Sequence, residues 1–219
     1  MWMADNKLML NNDKSEVMVF GMPKQLDKLS LTSVLIGSSE VPVNRQAKNL
    51  GVVMDRNMSM GPHVSSVCKS AHYQLRNISQ IRRYIDRTTA ERIVHAFVTS
   101  RLDCCNSLLF GVHKKHIAKL QKVQNAAAKL ITLKRKYDHA TPLLKDLHWL
   151  PISERIVYKI LVIAFKCLKG LSPAYLSSLL EEHKPTRTTR SVNTHLLAEP
   201  RTRLKTAGDR SFIAAAPKL

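Results

Sequence analysis

Residues 111–136 read GVHKKHIAKLQKVQNAAAKLITLKRK, and this stretch decides how the rest of the chain can fold. Its apolar residues recur at steps of three and four, the spacing that places side chains on one face of an α-helix. The residues on this face are Ile117, Leu120, Val123, Gln124, Ala127, Leu130 and Ile131. The pattern predicts a helix that buries one face in a protein core.

The other face of the predicted helix is basic. Its cations, with a cluster just past the helix end, are Lys114, Lys115, Lys119, Lys122, Lys129, Lys134, Arg135 and Lys136. No acidic residue occurs between Asp103 and Asp138 to balance them. Such a face is either a solvated surface or a binding site for a polyanion. The acid-free run favours nucleic acid.

The composition of the whole chain also favours a polyanionic partner. The 219 residues carry a net charge of +19, and 44% of them are hydrophobic, which is enough for a folded core. This charge attracts the phosphate backbone of RNA or DNA first and an anionic membrane surface second, and charge alone does not separate the two.

Neither a leader peptide nor a membrane span is expected. The first residues lack a basic start followed by an apolar run. The most apolar segment, residues 156–168, contains two lysines and is shorter than the roughly 20 residues that cross a bilayer. We therefore expect an intracellular protein, cytoplasmic or nuclear, with no membrane partner.

No complete catalytic or metal-binding set is present in the sequence. The cysteines are Cys68, Cys104, Cys105 and Cys167. They form no Cys-x-x-Cys motif, and reduced, buried thiols are expected. His113 and His116 have no cysteine at zinc-site spacing. The only adjacent acids are Glu181 and Glu182, and no glycine-rich phosphate loop occurs. We expect no metal site and no small-molecule substrate.

The first third of the chain is predicted to be a small antiparallel β-region. Strand-like stretches lie at residues 16–20, 29–36, 41–43 and 50–54. A hairpin turn is expected at residues 37–39, and Pro42 indicates an edge strand. Residues 1–6 look like the end of a helix.

Helical spacing replaces the strand pattern from residue 64 onward. A first helix is predicted over residues 64–81. A second helix is expected to begin at a capping box of Thr88 and Glu91 and to end at Gly111. After the basic helix, a short helix is predicted to open at Thr141-Pro142.

A long apolar helix follows, which Ser153 is expected to cap and Gly170 to end. It is apolar nearly all round, which is typical of a helix at the centre of a bundle. One more short helix is predicted from Ser172. From His183 onward the chain is rich in Arg and Thr and forms either a loosely ordered tail or an extended strap.

Six sequence stretches carry a family resemblance. They are WMADNKLMLNNDKSEVMVFG at 2–21, KNLGVVMD at 48–55, HAFVTSRLDCCNSLLFG at 95–111, LQKVQNAAAKLI at 120–131, HATPLLKDLHWLPISERIVYKILVIAFKCLKGLSPAYLSSLL at 139–180 and PRTRLKTAGDRSFIAAAPKL at 200–219. In this order they resemble the part of LINE-type (non-LTR, jockey-like) retrotransposon reverse transcriptases that follows the catalytic acids.

The resemblance implies an α+β fold that is mostly α. Its small antiparallel β-region is the palm edge, followed by a thumb-like helical bundle and a basic, poorly ordered tail. The implied segments are a partial palm β-region at 1–60, thumb-like basic helices at 61–136, an apolar helical segment at 137–182 and a basic tail at 183–219.

The resemblance also implies roles for residues. Lys14 matches a palm lysine thought to assist pyrophosphate departure, although alone it would be an ordinary turn lysine. Leu50-Gly51-Val52 matches the hairpin that grips the primer. Cys104 departs from the family, which usually has Tyr there. The family's magnesium-binding Tyr-x-Asp-Asp motif lies before the matched stretches, and this chain contains no Asp-Asp pair. The expected function is therefore that of an RNA-directed DNA polymerase remnant, inactive alone and without a cofactor, that binds RNA or DNA template–primer.

A second hypothesis, from another class, stays open. The chain could be a non-enzymatic helical protein-interaction module whose basic surface keeps it in solution. The aromatic content of 5% supports it, because single-strand binders usually stack bases on aromatic side chains. Tyr73, Tyr84 and Tyr137 flank basic residues, but core or boundary positions are expected for them. No particular protein partner is indicated.

Overall fold

Two β-hairpins and a larger set of helices make up the part of the chain that the structure describes. The computed structural model describes residues 5–7, 9, 11, 14–37, 39–183, 196–204 and 207–219. The chain divides into two units, residues 1–63 and 64–219. Helices dominate and both sheets are small and antiparallel, so the predicted α+β, mostly α, fold class is confirmed.

The first unit contains two antiparallel hairpins. Strand β1, Ser33–Ile36, pairs with β2, Ser39–Pro42. Strand β3, Gln46–Asn49, pairs with β4, Val52–Asp55. A short helix, α1, covers Pro23–Leu26. The antiparallel β-region is confirmed, and so is a hairpin turn at Gly37, although Ser39 already belongs to β2. Most of residues 1–6 lie outside the described residues.

Three details of this unit were wrong in the sequence prediction. Residues 16–20 form no strand but a single parallel bridge, Val17 to Val43. The pairing of residues 16–20 with the segment at Val43 stops because the chain after Asn44 pairs with the end of β4 instead. There the Arg56 amide donates to the Arg45 carbonyl at 3.2 Å.

The second and third errors concern the β3–β4 hairpin. Strand β3 lacks apolar alternation and was missed. Leu50 and Gly51 are not strand residues but the turn between β3 and β4. Both have a positive φ, as a tight hairpin turn requires.

The second unit is helical, and the predicted long helices are confirmed. The helices are α2 at Gly61–Ile81, α3 at Arg87–Val94, α4 at Ser100–Asp103, α5 at Lys114–Ile131, α6 at Ala140–Asp146, α7 at Ile152–Leu168, α8 at Ala174–Ser177 and α9 at Phe212–Ala215. A π-helical stretch, His95–Thr99, joins α3 to α4 without interruption. Short 3₁₀ turns lie at Arg82–Tyr84, Asn106–Leu109 and Ala216–Lys218.

The start of α3 differs from the prediction. The N-cap is Asp86, whose Oδ2 accepts hydrogen bonds from the backbone amides of Thr88 at 3.1 Å and Thr89 at 3.4 Å. The expected capping box of Thr88 and Glu91 is therefore wrong. The short Asp86 carboxylate reaches both free amides, so the helix starts before Thr88.

The helix that α3 begins also ends earlier than predicted. It stops at Asp103 rather than Gly111, because Cys105 adopts a left-handed conformation with φ of 51°. The buried Asn106 donates to Asp103 Oδ1 at 3.4 Å, a local bond that competes with continued helix. Cys104 is exposed, like Cys105, contrary to the expected burial of both thiols.

Helix α7 differs from the prediction in its cap and its burial. Pro151 is the N-cap, and the Ile152 amide donates at 2.9 Å to Gln121 Oε1 on α5, so Ser153 is not needed there. The helix is not central, since one apolar face including Phe165 is exposed. Gly170, with φ of +66°, ends the helix as predicted.

The end of the chain packs on the helices. Arg210 donates from Nε to the Phe110 carbonyl at 3.0 Å, and Ala214 and Ala215 are buried. Residues 212–218 are helical, so this part of the chain is neither a loosely ordered tail nor an extended strap, whereas residues 184–195 lie outside the described part. Of the helices that the structure describes, none is both long and apolar enough to cross a membrane.

Replacing Asp86 by Ala should lower the melting temperature by several degrees, and more than Thr88→Ala does, because only Asp86 caps α3. The hydrogen bond from the Thr89 side chain, followed by the backbone bonds, lowers the pKa of Asp86. The cap therefore contributes fully above about pH 4 and is lost as the pH falls through the lowered pKa. Thermal melts from pH 7 to pH 2 measure this.

Asp86→Asn is the matched control, since an Asn cap accepts the same bonds without titrating. It should retain most of the stability at pH 7 and remove this part of the acid sensitivity. Equal melting temperatures for Asp86→Ala and Thr88→Ala would contradict the assignment of the cap.

Candidate nucleic-acid interface

Helix α5 carries a buried face and a basic face, as predicted. Its buried residues are Leu120, Val123, Gln124, Ala127, Ala128 and Ile131. Ile117 and Leu130, also expected on this face, are half-buried. Five lysines lie off this face, of which Lys129 is half-buried; the four exposed ones are Lys114, Lys115, Lys119 and Lys122. Among the described residues, no carboxylate forms an ion pair with these five.

The C-terminus of α5 turns the chain back on the helix. Leu133 adopts the left-handed conformation with φ of 53°. The Leu133 amide donates to the Leu130 carbonyl at 3.4 Å, and the Lys134 amide to the Lys129 carbonyl at 3.0 Å. This pair of bonds is the Schellman motif, with leucine where glycine is usual. The reversal brings Lys134 beside the last turns of α5.

Two further bonds fix the reversed segment. Lys129 Nζ donates to the Lys136 carbonyl at 2.6 Å, so one ammonium group ties the helix to the returning chain. The Arg135 amide donates to Asp138 Oδ2 at 2.7 Å. Asp138 therefore stabilises the turn by accepting a hydrogen bond from the backbone of Arg135.

The helix and the returning segment enclose a cleft of about 540 Å³. Its lining residues are Lys122, Asn125, Ala126, Lys129, Leu130, Lys134 and Lys136. Both predicted basic clusters thus contribute to one cleft. Lys114, Lys115 and Lys119 lie closer to the N-terminus of α5, and Arg135 does not line the cleft. Lys14 belongs to the other unit, where its amide donates to the Asn11 carbonyl at 3.2 Å.

Three tyrosines beside basic residues are more exposed than predicted. Tyr137 is 89% exposed, and Lys136 Nζ lies 5.8 Å from its ring centre. Tyr84 is also exposed, with the Arg83 guanidinium 5.3 Å from its ring. Tyr73 is exposed as well, so the expected core or boundary positions are wrong for all three. The basic residues next to Tyr84 and Tyr137 in the sequence were the evidence for a surface position.

The buried Arg82 holds the end of α5 in place. Its Nε donates to the Leu130 carbonyl at 3.0 Å and its Nη2 to the Ile131 carbonyl at 2.6 Å. Its Nη1 donates to the Ile85 carbonyl at 2.8 Å. A cation at a helix C-terminus satisfies free carbonyls and offsets the helix dipole. Sequence analysis gave Arg82 no role, because its partners on α5 lie 48 and 49 residues away.

Glutamine side chains join α5 to the start of α7. Gln124 Nε2 donates to the Leu150 carbonyl at 2.8 Å, which explains a polar residue on the buried face. Gln121 Nε2 donates to Gln124 at 2.9 Å and to Asn125 Oδ1 at 2.8 Å. Because Asn125 lines the cleft, these bonds also orient one of its walls.

The described residues offer little for covalent or metal chemistry. No group of three or more His, Cys, Asp or Glu side chains among them is placed to hold a metal ion. Partial desolvation of the Cys105 thiol, followed by the neighbouring Cys104 thiol, raises the pKa of Cys105, which keeps it protonated and weakly nucleophilic.

Comparisons of this chain with family models, curated proteins and solved structures find no match. The cleft between α5 and the returning segment is distinguished by its geometry and its charge. Four lysines converge there, and none of the lining residues in the described part is acidic.

Replacing Arg82 by Met should lower the free energy of unfolding by about 3 kcal/mol, because three carbonyls lose a charged donor in a buried place. The neighbouring Arg83→Met is the control. Arg83 is exposed, and its contact with Tyr84 is worth less than about 1 kcal/mol. Urea unfolding of the two variants measures the difference, and equal losses would contradict the anchoring role of Arg82.

Proposed function

We propose that this chain binds the phosphate backbone of RNA or DNA through the lysine cleft, without reading base sequence. The convergence of Lys122, Lys129, Lys134 and Lys136 carries the proposal. Lysine ammonium groups contact phosphates as point charges, and phosphate contacts carry no direct sequence information. The net charge of +19 adds long-range attraction for the polyanion.

The exposed Tyr137 supports contact with unpaired bases near the cleft. A ring that is open to solvent and adjacent to Lys136 can stack a base while the lysine contacts the backbone. Such stacking tolerates any base. It is therefore consistent with binding at the end of a duplex or on a single strand.

We further propose that this grip belongs to the thumb-like part of an RNA-directed DNA polymerase of the LINE type. The family resemblance and the order of a β-region followed by basic helices support it. The turn at Leu50-Gly51 supports a role in holding a primer, because it is an exposed hairpin tip. The described acids do not fit the magnesium site of that family, so no catalytic step is assigned to this chain.

The alternative is a protein-interaction module whose lysines only keep the chain in solution. Solubilising charges need only be spread over a surface. The cleft instead concentrates four lysines around one concave space, which favours an anionic ligand. Contact with a protein partner would instead involve an exposed face of α7, separate from the cleft.

Affinity for RNA and DNA should depend steeply on salt. With about six phosphates neutralised, affinity falls by roughly three orders of magnitude between 50 and 200 mM salt. Replacing Lys122, Lys134 and Lys136 together by Gln should reduce the slope of log K against log salt by about 2 to 3. Fluorescence anisotropy with labelled single strands and duplexes of several sequences measures both.

The matched control replaces Lys24, Lys28 and Lys145 by Gln, which removes the same charge from exposed positions that do not line the cleft. Its slope should stay close to that of the unchanged chain. A flat salt response, or an equal loss of slope in the control, would refute binding at the cleft.

The purified chain should extend no primer on an RNA or DNA template in the presence of Mg²⁺. The physical reason is that no Asp-Asp pair occurs in the sequence to position the metal ions of a polymerase. A primer-extension gel with deoxynucleotides checks this. Template-dependent incorporation by this chain would show that catalytic acids had been overlooked.

A further inference from the structure

Helix α7 presents apolar side chains on two opposite faces. The buried face contains Ile152, Ile156, Ile160, Ala164 and Cys167. The opposite face contains Tyr158, Leu161, Phe165 and Leu168, each between 40% and 60% exposed. We call these four residues the α7 stripe. Scattered apolar residues on a surface are ordinary, but an ordered row on one helix face is not.

The spacing of the α7 stripe is that of a helix–helix seam. Its residues follow one another at steps of three, four and three, the a and d positions of a heptad. At 3.6 residues per turn they span an arc of only about 80°. Helices that lie on membranes present a broader apolar face, so the narrow stripe fits a partner helix better.

Lysines lie along one flank of the α7 stripe. Lys159, Lys166 and Lys169 are exposed, and none of them forms an ion pair within the described part of the chain. Arg155 differs, because its guanidinium binds both carboxylate oxygens of Asp103. One flank of the stripe is therefore cationic, and its charge is open to a partner. The exposed Glu154 lies on the face of the stripe itself, one turn before Tyr158.

This charge decides between possible partners. A second copy of this chain would bring its own lysines against those of the first, and like charges across an interface are unfavourable. A helix with leucines on one face and acidic residues beside them meets the stripe with complementary charge. We propose that the α7 stripe is the docking site of an acidic amphipathic helix from a partner protein.

The docking site extends past the end of α7. After the turn at Gly170, Leu171 and Tyr175 are also largely exposed, and α8 packs against α7. A partner helix longer than the stripe therefore finds further apolar contacts. The proposal does not depend on nucleic-acid binding, because the cleft lysines belong to α5 and its following turn.

The test uses a designed helical peptide of about five turns, with leucines at the same spacing and glutamates beside them. Anisotropy with the full chain should show saturable binding. Phe165→Ser should weaken it about 30-fold, the loss expected when a central aromatic anchor is removed. Leu35→Ser, at an exposed leucine of β1, should leave it unchanged.

A second peptide with lysine in place of each glutamate tests the charge and should bind at least about 10-fold more weakly. The chain with Lys122, Lys134 and Lys136 replaced by Gln tests whether the peptide binds at the α7 stripe or at the lysine cleft. It should bind the acidic peptide as tightly as the unchanged chain does. Circular dichroism of Phe165→Ser confirms that its fold is retained.

Several outcomes would overturn the proposal. They are equal binding of the two peptides, binding that survives Phe165→Ser, and binding that is lost in the cleft variant. Phe165-dependent binding to phosphatidylserine vesicles without binding to the peptide would instead identify a membrane surface. Phe165-dependent self-association in sedimentation would identify a second copy as the partner.

Discussion

The guanidinium of Arg82, buried against the carbonyl oxygens that end α5, is the interaction on which the basic surface depends. It joins the residues that follow α2 to the C-terminus of α5 and leaves the Leu130 and Ile131 carbonyls satisfied. It also offsets the negative end of the helix dipole, which would otherwise oppose an anion near the last turn. The cleft therefore lies at a helix end that a buried cation has made compatible with phosphate.

A few polar bonds set the geometry of the second unit, while apolar burial supplies its bulk. Gln124 binds the Leu150 carbonyl, and Asp103 binds Arg155 on α7. Apolar packing is not directional, so by itself it tolerates helices that slide or rotate. Buried hydrogen bonds are lost when their partners move, and they hold α7 with one face inward and the α7 stripe outward.

Periodicity in the sequence predicted the helices and the two faces of α5, because both depend on residues close together in the chain. It failed where a distant residue decides the outcome. Gln121 on α5 meets the first amide of α7, so Ser153 is not the cap. Nothing in the sequence near Arg82 indicated that its side chain would bind the carbonyls at the end of α5. The lysines could be named from sequence, but their meeting in one cleft depends on the reversal at Leu133.

That reversal gives the two walls of the cleft unequal stiffness. Lys122 stands on a regular helix, whereas Lys134 and Lys136 follow a leucine held in a left-handed conformation that costs about 1 kcal/mol or more. Local opening requires less free energy where the backbone is already strained. One wall of the cleft is thus a regular helix, and the other is a strained return of the chain that the Lys129 and Asp138 bonds hold in place. Loss of either bond would release this second wall and leave the helical wall unchanged.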